Sequence, residues 1–178
     1  MIEEKAKKIQ LLILDVDGVM TDGRIVMNDL GQEIKFFNVK DGHGIRLLLK
    51  AGIDVAIITG RESETVRRRA ADLQIPMVYQ GIRDKEAVCR NIMEDKGLEK
   101  EQVCCMGDDL PDIPMFRCAG LPIAVADATY ETRNSALYIT KAPGGYGAVR
   151  EVCEIILKAR GAWPEIDGIK GKNKLGFT

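Results

Sequence analysis

The stretch Leu11-Leu12-Ile13-Leu14-Asp15-Val16-Asp17-Gly18-Val19 decides the fold, because an apolar run ends there in two carboxylates that are one residue apart. Successive side chains of a strand point to opposite faces, so Asp15 and Asp17 point the same way. A strand that is apolar throughout is typical of the middle of a parallel sheet. The carboxyl ends of such strands form the edge at which α/β folds bind ligands. The segment therefore predicts an acidic site at the end of a central strand.

The length and composition of the chain are typical of one domain. Its 178 residues are 46% hydrophobic, which is enough to bury a core without disulfides. The formal charge of -1 gives no indication of a surface for nucleic acid or anionic membranes. A small solute is therefore the expected partner.

The sequence also bears on compartment. No apolar run approaches the roughly 20 residues that span a bilayer, and the start Met1-Ile2-Glu3-Glu4-Lys5 lacks the order of a signal peptide. We therefore expect a cytoplasmic protein. The cysteines form no CxxC pair, which favours reduced thiols in the core over a metal site or disulfides. They are Cys89, Cys104, Cys105, Cys118 and Cys153.

Short apolar runs alternate with helical stretches, which predicts an α/β fold with a doubly wound parallel sheet and helices on both faces. The predicted strands are 11–16, 55–58, 77–79, 103–106, 123–125 and 137–139. The predicted helices cover about 43–51, 62–73, 84–96, 110–118 and 145–159, with C-caps at Gly52, Gly97 and Gly120. We assign one domain to residues 1–160 and a flexible tail to 161–178.

One segment departs from this alternation. Two apolar runs, at 24–27 and 33–37, flank Asn28-Asp29-Leu30-Gly31 and predict a β-hairpin, which we call the flap (about residues 22–38). A two-stranded hairpin is marginal in water, so its apolar side chains need cover. We expect another subunit to supply it, and packing of the flap on its own domain is the alternative. The side chains concerned are Ile25, Met27, Ile34, Phe36 and Phe37.

Polar groups at three further strand ends converge on the edge that carries the acidic pair. Thr59-Gly60-Arg61 follows the second core strand, Asp84-Lys85 opens a helix, and Gly107-Asp108-Asp109-Leu110-Pro111-Asp112 follows the fourth. An empty site with this many carboxylates repels itself and requires a cation. Hard oxygen ligands favour Mg²⁺ over zinc.

A divalent cation beside Lys85 forms a pocket for a dianion, and phosphate is the obvious one. Asp15 is then placed to attack phosphorus and to form an aspartyl-phosphate, which splits hydrolysis into two displacements. Asp17, two residues on, is placed to protonate the leaving alcohol and later to deprotonate water.

These residues resemble the haloacid dehalogenase superfamily of phosphatases, whose four motifs occur in order over roughly residues 10–160. The motifs are Asp15-x-Asp17-Gly-Val, Thr59, Lys85 and Gly107-Asp108-Asp109. The resemblance implies a Rossmann-like core and Mg²⁺ held by the Asp15 side chain, the Asp17 backbone carbonyl and Asp108. It further implies that Thr59 and Lys85 hold the phosphoryl oxygens, and that Asp109 and Asp112 support the metal site.

The spacing of the motifs leaves no room for the cap domain that most members insert, since residues 17–59 hold only the flap and one helix. The chain is similar to the capless tetrameric members that act on 8- or 9-phosphates of acidic sugars. This implies a homotetramer in which subunits share flap and tail, the tail steering an anionic substrate through Lys170, Lys172 and Lys174. The matching strings are 15–23, 40–46, 107–112 and 144–152.

Three basic or aromatic residues bear on the substrate in this comparison. Arg61, beside Gly60, favours an octulosonate 8-phosphate, because relatives that act on a nine-carbon sugar acid carry glutamate there. Arg69 matches a substrate-side arginine, and a guanidinium suits a sugar carboxylate. Tyr146 is a departure, since such enzymes carry arginine in that loop.

Other functions remain open. A receiver domain of signalling also combines a doubly wound sheet with a phospho-accepting aspartate, but Asp54 begins its strand instead of ending it, and the cluster at 108–112 would have no role. A non-catalytic relative would be expected to lose an essential carboxylate, and none is missing. Within the enzyme class, the alternatives are a nine-carbon sugar-acid phosphatase and a less selective sugar phosphatase.

Overall fold

A computed structural model describes residues 2–164 and shows six parallel strands in one sheet, in the order β5-β4-β1-β6-β7-β8. Strand β1 pairs with β4 on one side and with β6 on the other. The strand order therefore reverses next to β1, and ligand crevices open at such a point. The strands are β1 Leu11–Leu14, β2 Val26–Met27, β3 Glu33–Ile34, β4 Asp54–Ile58, β5 Met77–Tyr79, β6 Val103–Gly107, β7 Leu121–Ala124 and β8 Tyr138–Ile139.

Helices cover both faces of this sheet, which confirms the doubly wound architecture. Side chains alternate between the two faces of β1. Leu12 and Leu14 pack in one core with residues of α2, α3 and α7. Leu11 and Ile13 pack in a second core with residues of α4 and α5. The helices are α1 Ile2–Ala6, α2 Val39–Lys50, α3 Glu64–Leu73, α4 Lys85–Lys96, α5 Ile113–Phe116, α6 Tyr130–Ser135 and α7 Ala148–Ala159.

Several element boundaries differ from the sequence-based prediction. Helix α2 begins four residues earlier than expected, because the Asn38 side chain accepts hydrogen bonds from the backbone of Lys40 and Asp41. The predicted helix 110–118 is a 3₁₀ turn, Leu110–Asp112, followed by the short α5. The pattern missed α1 and α6, which are too short to show a periodicity.

Two of the three predicted C-cap glycines have left-handed backbone, namely Gly52 (φ 75°) and Gly97 (φ 62°). The prediction for Gly120 is wrong. It lies where a Cβ would be 2.7 Å from the Cα of Glu101, and its amide donates to the carbonyl of Lys100. This glycine is therefore required by close backbone packing.

The flap is a short antiparallel hairpin of β2 and β3, as predicted. Its turn is held by the Asn28 side chain, which accepts from the amides of Leu30 and Gln32. Phe37 packs against the main core, but five other apolar flap side chains are exposed in the single chain. They are Ile25, Met27, Leu30, Ile34 and Phe36.

Three smaller expectations concern the rest of the chain. All five cysteines are buried and free, which confirms the prediction of reduced core thiols. No helix within residues 2–164 is long and apolar enough to cross a membrane. Trp163 packs beside α7 under Arg150 and Lys158, and most of the predicted tail, with its lysines, lies outside the described residues.

Candidate active site

The centre of the site is a buried ion pair between the ends of two core elements. Asp15 directly follows β1, and its amide still donates to Met106 of β6. Lys85 opens α4 and places its Nζ 2.8 Å from Asp15 Oδ1 and 2.5 Å from Asp112 Oδ1. All three side chains are almost fully buried. The fold thus fixes one ammonium between two carboxylates at the sheet edge.

Asp112 also shapes the loop that follows β6. Its second carboxylate oxygen accepts from the amides of Asp108, at 2.9 Å, and Asp109, at 3.4 Å. Asp109 in turn accepts from the amide of Leu110 and caps the 3₁₀ turn. Gly107 has no room for a side chain, since a Cβ there would lie 2.4 Å from the Cβ of Asp112. Asp112 and Asp109 therefore hold Asp108 in place.

Three carboxylates form a donor set for a cation. Oxygens of Asp15, Asp108 and Asp112 lie within 4.8 Å of one another. Asp112 is engaged by Lys85 and by the loop amides, whereas Asp108 makes no ion pair within residues 2–164. Carboxylate oxygens without imidazole or thiolate fit a hard divalent cation. Asp15 and Asp108 are thus the side chains whose oxygens are available to bind the cation.

The electrostatics of these carboxylates support this assignment. Burial, and then the charge of Asp112, raise the pKa of Asp15 to about 6, although Lys85 opposes the shift. Burial, followed by the charges of Asp112, Asp15 and Asp109, raises the pKa of Asp108 to about 8. Burial lowers the pKa of Lys85, but Asp15 and Asp112 outweigh it and the net shift is upward. The cluster has more negative charge than Lys85 neutralises.

An open cavity of about 570 Å³ lies over this cluster. Thr59, which follows β4, is buried in its wall, and its amide donates to Tyr79 of β5. The cavity brings together nine of the ten predicted site residues. These are Asp15, Asp17, Thr59, Gly60, Arg61, Lys85, Asp108, Asp109 and Asp112.

Asp17 lies at the rim, where the flap reaches the site. Lys35, just past β3, contacts Asp17 Oδ1, and Arg61 Nε lies 3.8 Å from Asp17 Oδ2. Glu33 links the same two cations, at 3.2 Å from Lys35 Nζ and 3.0 Å from Arg61 Nη2. The Lys35 side chain is only 2% exposed. A chain of ion pairs, with acidic and basic side chains in alternation, therefore links the flap to Asp17.

Comparison with known proteins agrees with this geometry. The chain is 48% identical over 164 residues to the 3-deoxy-D-manno-octulosonate 8-phosphate phosphatase KdsC of Escherichia coli K12, covering 92% of this chain and 87% of that protein. The chain belongs to the haloacid dehalogenase-like hydrolases. Residues 77–150 also match the family model that bears this description. The protein is accordingly a phosphoric monoester hydrolase of that superfamily.

Solved structures of such phosphatases share the fold. The octulosonate 8-phosphate phosphatase of Yersinia pestis superposes with a TM-score of 0.89 at 47% identity, covering 90% of this chain and 87% of that one. The enzyme of Moraxella catarrhalis, solved with magnesium, phosphate and KDO, gives 0.88 at 46% identity and 90% and 92% coverage. The carboxylate donor set of this phosphatase fits the same ion.

Arg69 is the predicted site residue that lies apart from the phosphatase cavity. It is on α3, where Nη1 bonds Asp72, Nη2 approaches the carbonyl of Asn38 at 3.5 Å, and the guanidinium lies over the Phe37 ring. Its Nε is buried without a partner among the described residues. A substrate role for Arg69 stays a prediction.

Sequence reasoning missed two cations of this phosphatase. Lys35 interrupts the apolar run of the flap, and this charged residue among apolar ones is the signal by which the sequence could have indicated it. Arg83 lines the cavity two residues before Lys85, and nothing in the pattern separates it from surface arginines. His43 is exposed within α2 and does not line the cavity. Tyr146 instead contacts Asp22, with 3.3 Å between its hydroxyl and Oδ2.

Proposed function

We propose that this phosphatase hydrolyses 3-deoxy-D-manno-octulosonate 8-phosphate to KDO and phosphate through an aspartyl-phosphate. The observation that carries the proposal is the position of Asp15, buried beside Lys85 and Asp108 yet facing an open cavity. A carboxylate held this way has the oxygen, the neighbouring positive charge and the access that attack on phosphorus requires. The similarity to octulosonate 8-phosphate phosphatases supports the choice of substrate.

The reaction consists of two displacements. An Asp15 oxygen attacks phosphorus, the bond from phosphorus to the sugar oxygen breaks, and Asp17 gives its proton to that oxygen. Water then attacks the aspartyl-phosphate while Asp17 takes a proton from it, and Asp15 and phosphate are released. Asp17 lies two residues beyond Asp15 on the rim of the same cavity, where it would meet the leaving sugar oxygen.

The remaining site residues hold the phosphoryl group. Thr59 and the Lys85 ammonium would bind its equatorial oxygens, and Asp112 keeps Lys85 in position. Magnesium, held by Asp15, Asp108 and the Asp17 backbone carbonyl, would neutralise charge on the phosphoryl oxygens. Asp109 caps the 3₁₀ turn that follows Asp108 and so keeps this loop in place. Each of these roles places a charge or a donor where the phosphoryl group carries negative charge.

The sugar end of the substrate would lie toward the flap. Arg61 lies there, bonded to Glu33 of the flap and 3.8 Å from Asp17, and an arginine suits an acidic sugar. This residue favours the octulosonate over the nonulosonate. A nine-carbon sugar-acid 9-phosphate is the second candidate, because it offers the same phosphate and carboxylate.

The flap also supports a proposal about assembly. Five of its apolar side chains are 43% to 81% exposed in the single chain, on the surface of a hairpin whose Lys35 reaches the open site. A second copy of the chain would cover that surface and shield the site from water. A homotetramer that shares its flaps satisfies both needs.

A phosphate-release assay tests the substrate assignment. The panel compares octulosonate 8-phosphate, a nonulosonate 9-phosphate and glucose 6-phosphate, each with Mg²⁺ and with EDTA. We expect the highest kcat/KM with the octulosonate, and loss of turnover with EDTA. Equal kcat/KM for the acidic and neutral sugars would refute the sugar-acid assignment, and a preference for the nonulosonate would favour the second candidate.

A further inference from the structure

The loop between β5 and α4 is fixed rigidly against the loop that carries Thr59. The amide of Ile82 donates to the carbonyl of Thr59 at 3.1 Å, and the amide of Gly81 donates to the carbonyl of Arg61 at 3.3 Å. The Gln80 side chain accepts from the amide of Ser63 at 2.8 Å. These bonds join the two loops along one wall of the cavity. Arg83, the next residue after Ile82, is therefore held at a defined place on that wall.

Arg83 differs from the other cations of the cavity in having no acidic partner. Among the described residues, Arg61, Arg83 and Lys85 are the cationic side chains that line it. Lys85 is paired with Asp15 and Asp112, and Arg61 with Glu33 and Asp17. Arg83 forms no ion pair or side-chain hydrogen bond within residues 2–164, and it is exposed. Its guanidinium is free to bind an anion from solution.

That anion is not the phosphoryl group itself. Asp15, Thr59 and Lys85 define the phosphoryl position at the buried end of the cavity, whereas Arg83 is exposed on its wall. A second negative group on the same substrate would lie away from the buried end. A guanidinium binds a carboxylate through two parallel hydrogen bonds, which gives direction as well as charge.

We infer that Arg83 is a specificity-determining residue that binds the carboxylate of the substrate, opposite the phosphate end. The inference rests on the proposed function, because it requires a substrate with both groups. It explains why a rigid loop presents an unpaired guanidinium to the cavity. A general attraction of anions by Arg83 would instead strengthen the binding of every phosphate ester to the same degree.

Steady-state kinetics of Arg83→Ala and Arg83→Lys test this role. The substrates are octulosonate 8-phosphate, nonulosonate 9-phosphate and, as an ester without a carboxylate, p-nitrophenyl phosphate. We expect Arg83→Ala to raise KM for the carboxylated substrates about 10- to 100-fold, with little change in kcat and none in KM for p-nitrophenyl phosphate. Arg83→Lys should recover part of the loss, since it keeps the charge without the paired donors.

Arg67→Ala is the matched control, because Arg67 is an exposed arginine on α3 that pairs with Glu64 outside the cavity. It should leave all the kinetic constants unchanged. An equal rise of KM for all the substrates, or no rise for any, would overturn the role of Arg83. If the wild type did not prefer carboxylated phosphates, both the proposed substrate and the role of Arg83 would fail. If that preference persisted in Arg83→Ala, only the role of Arg83 would fail.

Discussion

Gly18 and Asp108 lie so close together that a Cβ on Gly18 would be 2.1 Å from Asp108 Oδ2. Gly18 also has a backbone φ of 95°, which L side chains rarely adopt. The glycine that follows the acidic pair thus makes room for the carboxylate of the fourth motif. Two motifs that are 90 residues apart in the chain depend on each other through this contact.

Replacement of Gly18 by alanine should therefore weaken magnesium binding. The new methyl group must displace the Asp108 carboxylate, so we expect a 10- to 100-fold loss, roughly, in both apparent Mg²⁺ affinity and kcat/KM. Titration of phosphatase activity with Mg²⁺ measures the first, and calorimetric titration of the free protein gives an independent value. An unchanged Mg²⁺ affinity would show that Asp108 does not bind the metal from its position beside Gly18.

Gly52→Ala is the matched control for this substitution. Gly52 has a similar φ of 75°, but a Cβ there would meet nothing within 4 Å. The left-handed backbone alone costs about 1 kcal/mol with a side chain, so both variants should lose thermal stability. Only Gly18→Ala should lose Mg²⁺ affinity.

The substitution Asp15→Asn should abolish turnover while preserving the fold. An amide oxygen is not a competent nucleophile toward phosphorus, so we expect kcat to fall by at least about a thousand-fold. The change also removes one of the mutually repelling carboxylates, so the metal-free variant should be at least as stable as the wild type near neutral pH. Phosphate release and thermal denaturation measure these two effects.

Appreciable phosphatase activity in Asp15→Asn would contradict the covalent mechanism. Asp54→Asn is a suitable control, since Asp54 lies at the opposite end of the sheet and pairs with Lys96 on the surface. That variant should keep its kcat. A short incubation of the wild type with labelled substrate, followed by acid quenching, should trap a labelled protein that Asp15→Asn does not form.

The stability of the metal-free protein should fall as the pH rises from about 4 to about 8. The pKa of Asp108 is about 8 in the folded protein, against an ordinary value of 3.8, so across this window the folded chain retains a proton that the unfolded chain has lost. Unfolding then becomes more favourable as the pH increases. Asp15, with its pKa of about 6, adds to the effect in the lower half of the window.

Magnesium should oppose this loss increasingly at higher pH, because the ion binds the ionised carboxylates. Thermal denaturation at pH 5, 6, 7 and 8, with EDTA and with Mg²⁺, measures both trends. Asp108→Asn should flatten the pH dependence in EDTA and reduce the stabilisation by Mg²⁺. If the midpoint of thermal unfolding in EDTA rose from pH 5 to pH 8, the elevated pKa values of Asp15 and Asp108 would be contradicted.

The sequence was sufficient to predict the sheet, because its strands are apolar on both faces and its site residues follow strand ends. Asp15, Thr59 and Asp108 meet because parallel strands present their carboxyl ends at one edge. The start of α2 was misplaced because the cap, Asn38, lies within an irregular segment with no periodicity. The helix after Asp109 was predicted as continuous, whereas Pro111 and Pro114 divide it.

Contacts that join distant segments were not predictable from one sequence. Nothing local indicates that Lys35 of the flap reaches Asp17, or that the loop at 80–83 bonds to the loop at 59–61. Arg69 is another such case. Nothing local indicates that the packing of α3 against α2 directs it toward Phe37 and Asn38 in the single chain, and its substrate role stays a prediction.

The exposed apolar side chains of the flap bear on how the subunits assemble. Phe36 is 60% exposed in the single chain, and an interface built on the flap would bury it. Phe36→Ser should therefore shift the proposed tetramer toward smaller species, since loss of a buried aromatic side chain costs about 3 to 5 kcal/mol. Sedimentation velocity over a range of protein concentrations measures the change, and kcat/KM should fall with dissociation if the flap shields the site.

Leu137→Ser is the matched control for this change. Leu137 is an apolar residue of similar exposure, 48%, but it lies just before the edge strand β8, far along the chain from the flap. It should leave the sedimentation coefficient unchanged. A wild-type monomer at assay concentration would contradict the shared flap. A Phe36→Ser variant that remained a tetramer while Leu137→Ser dissociated would contradict it too, because the interface would then lie on β8.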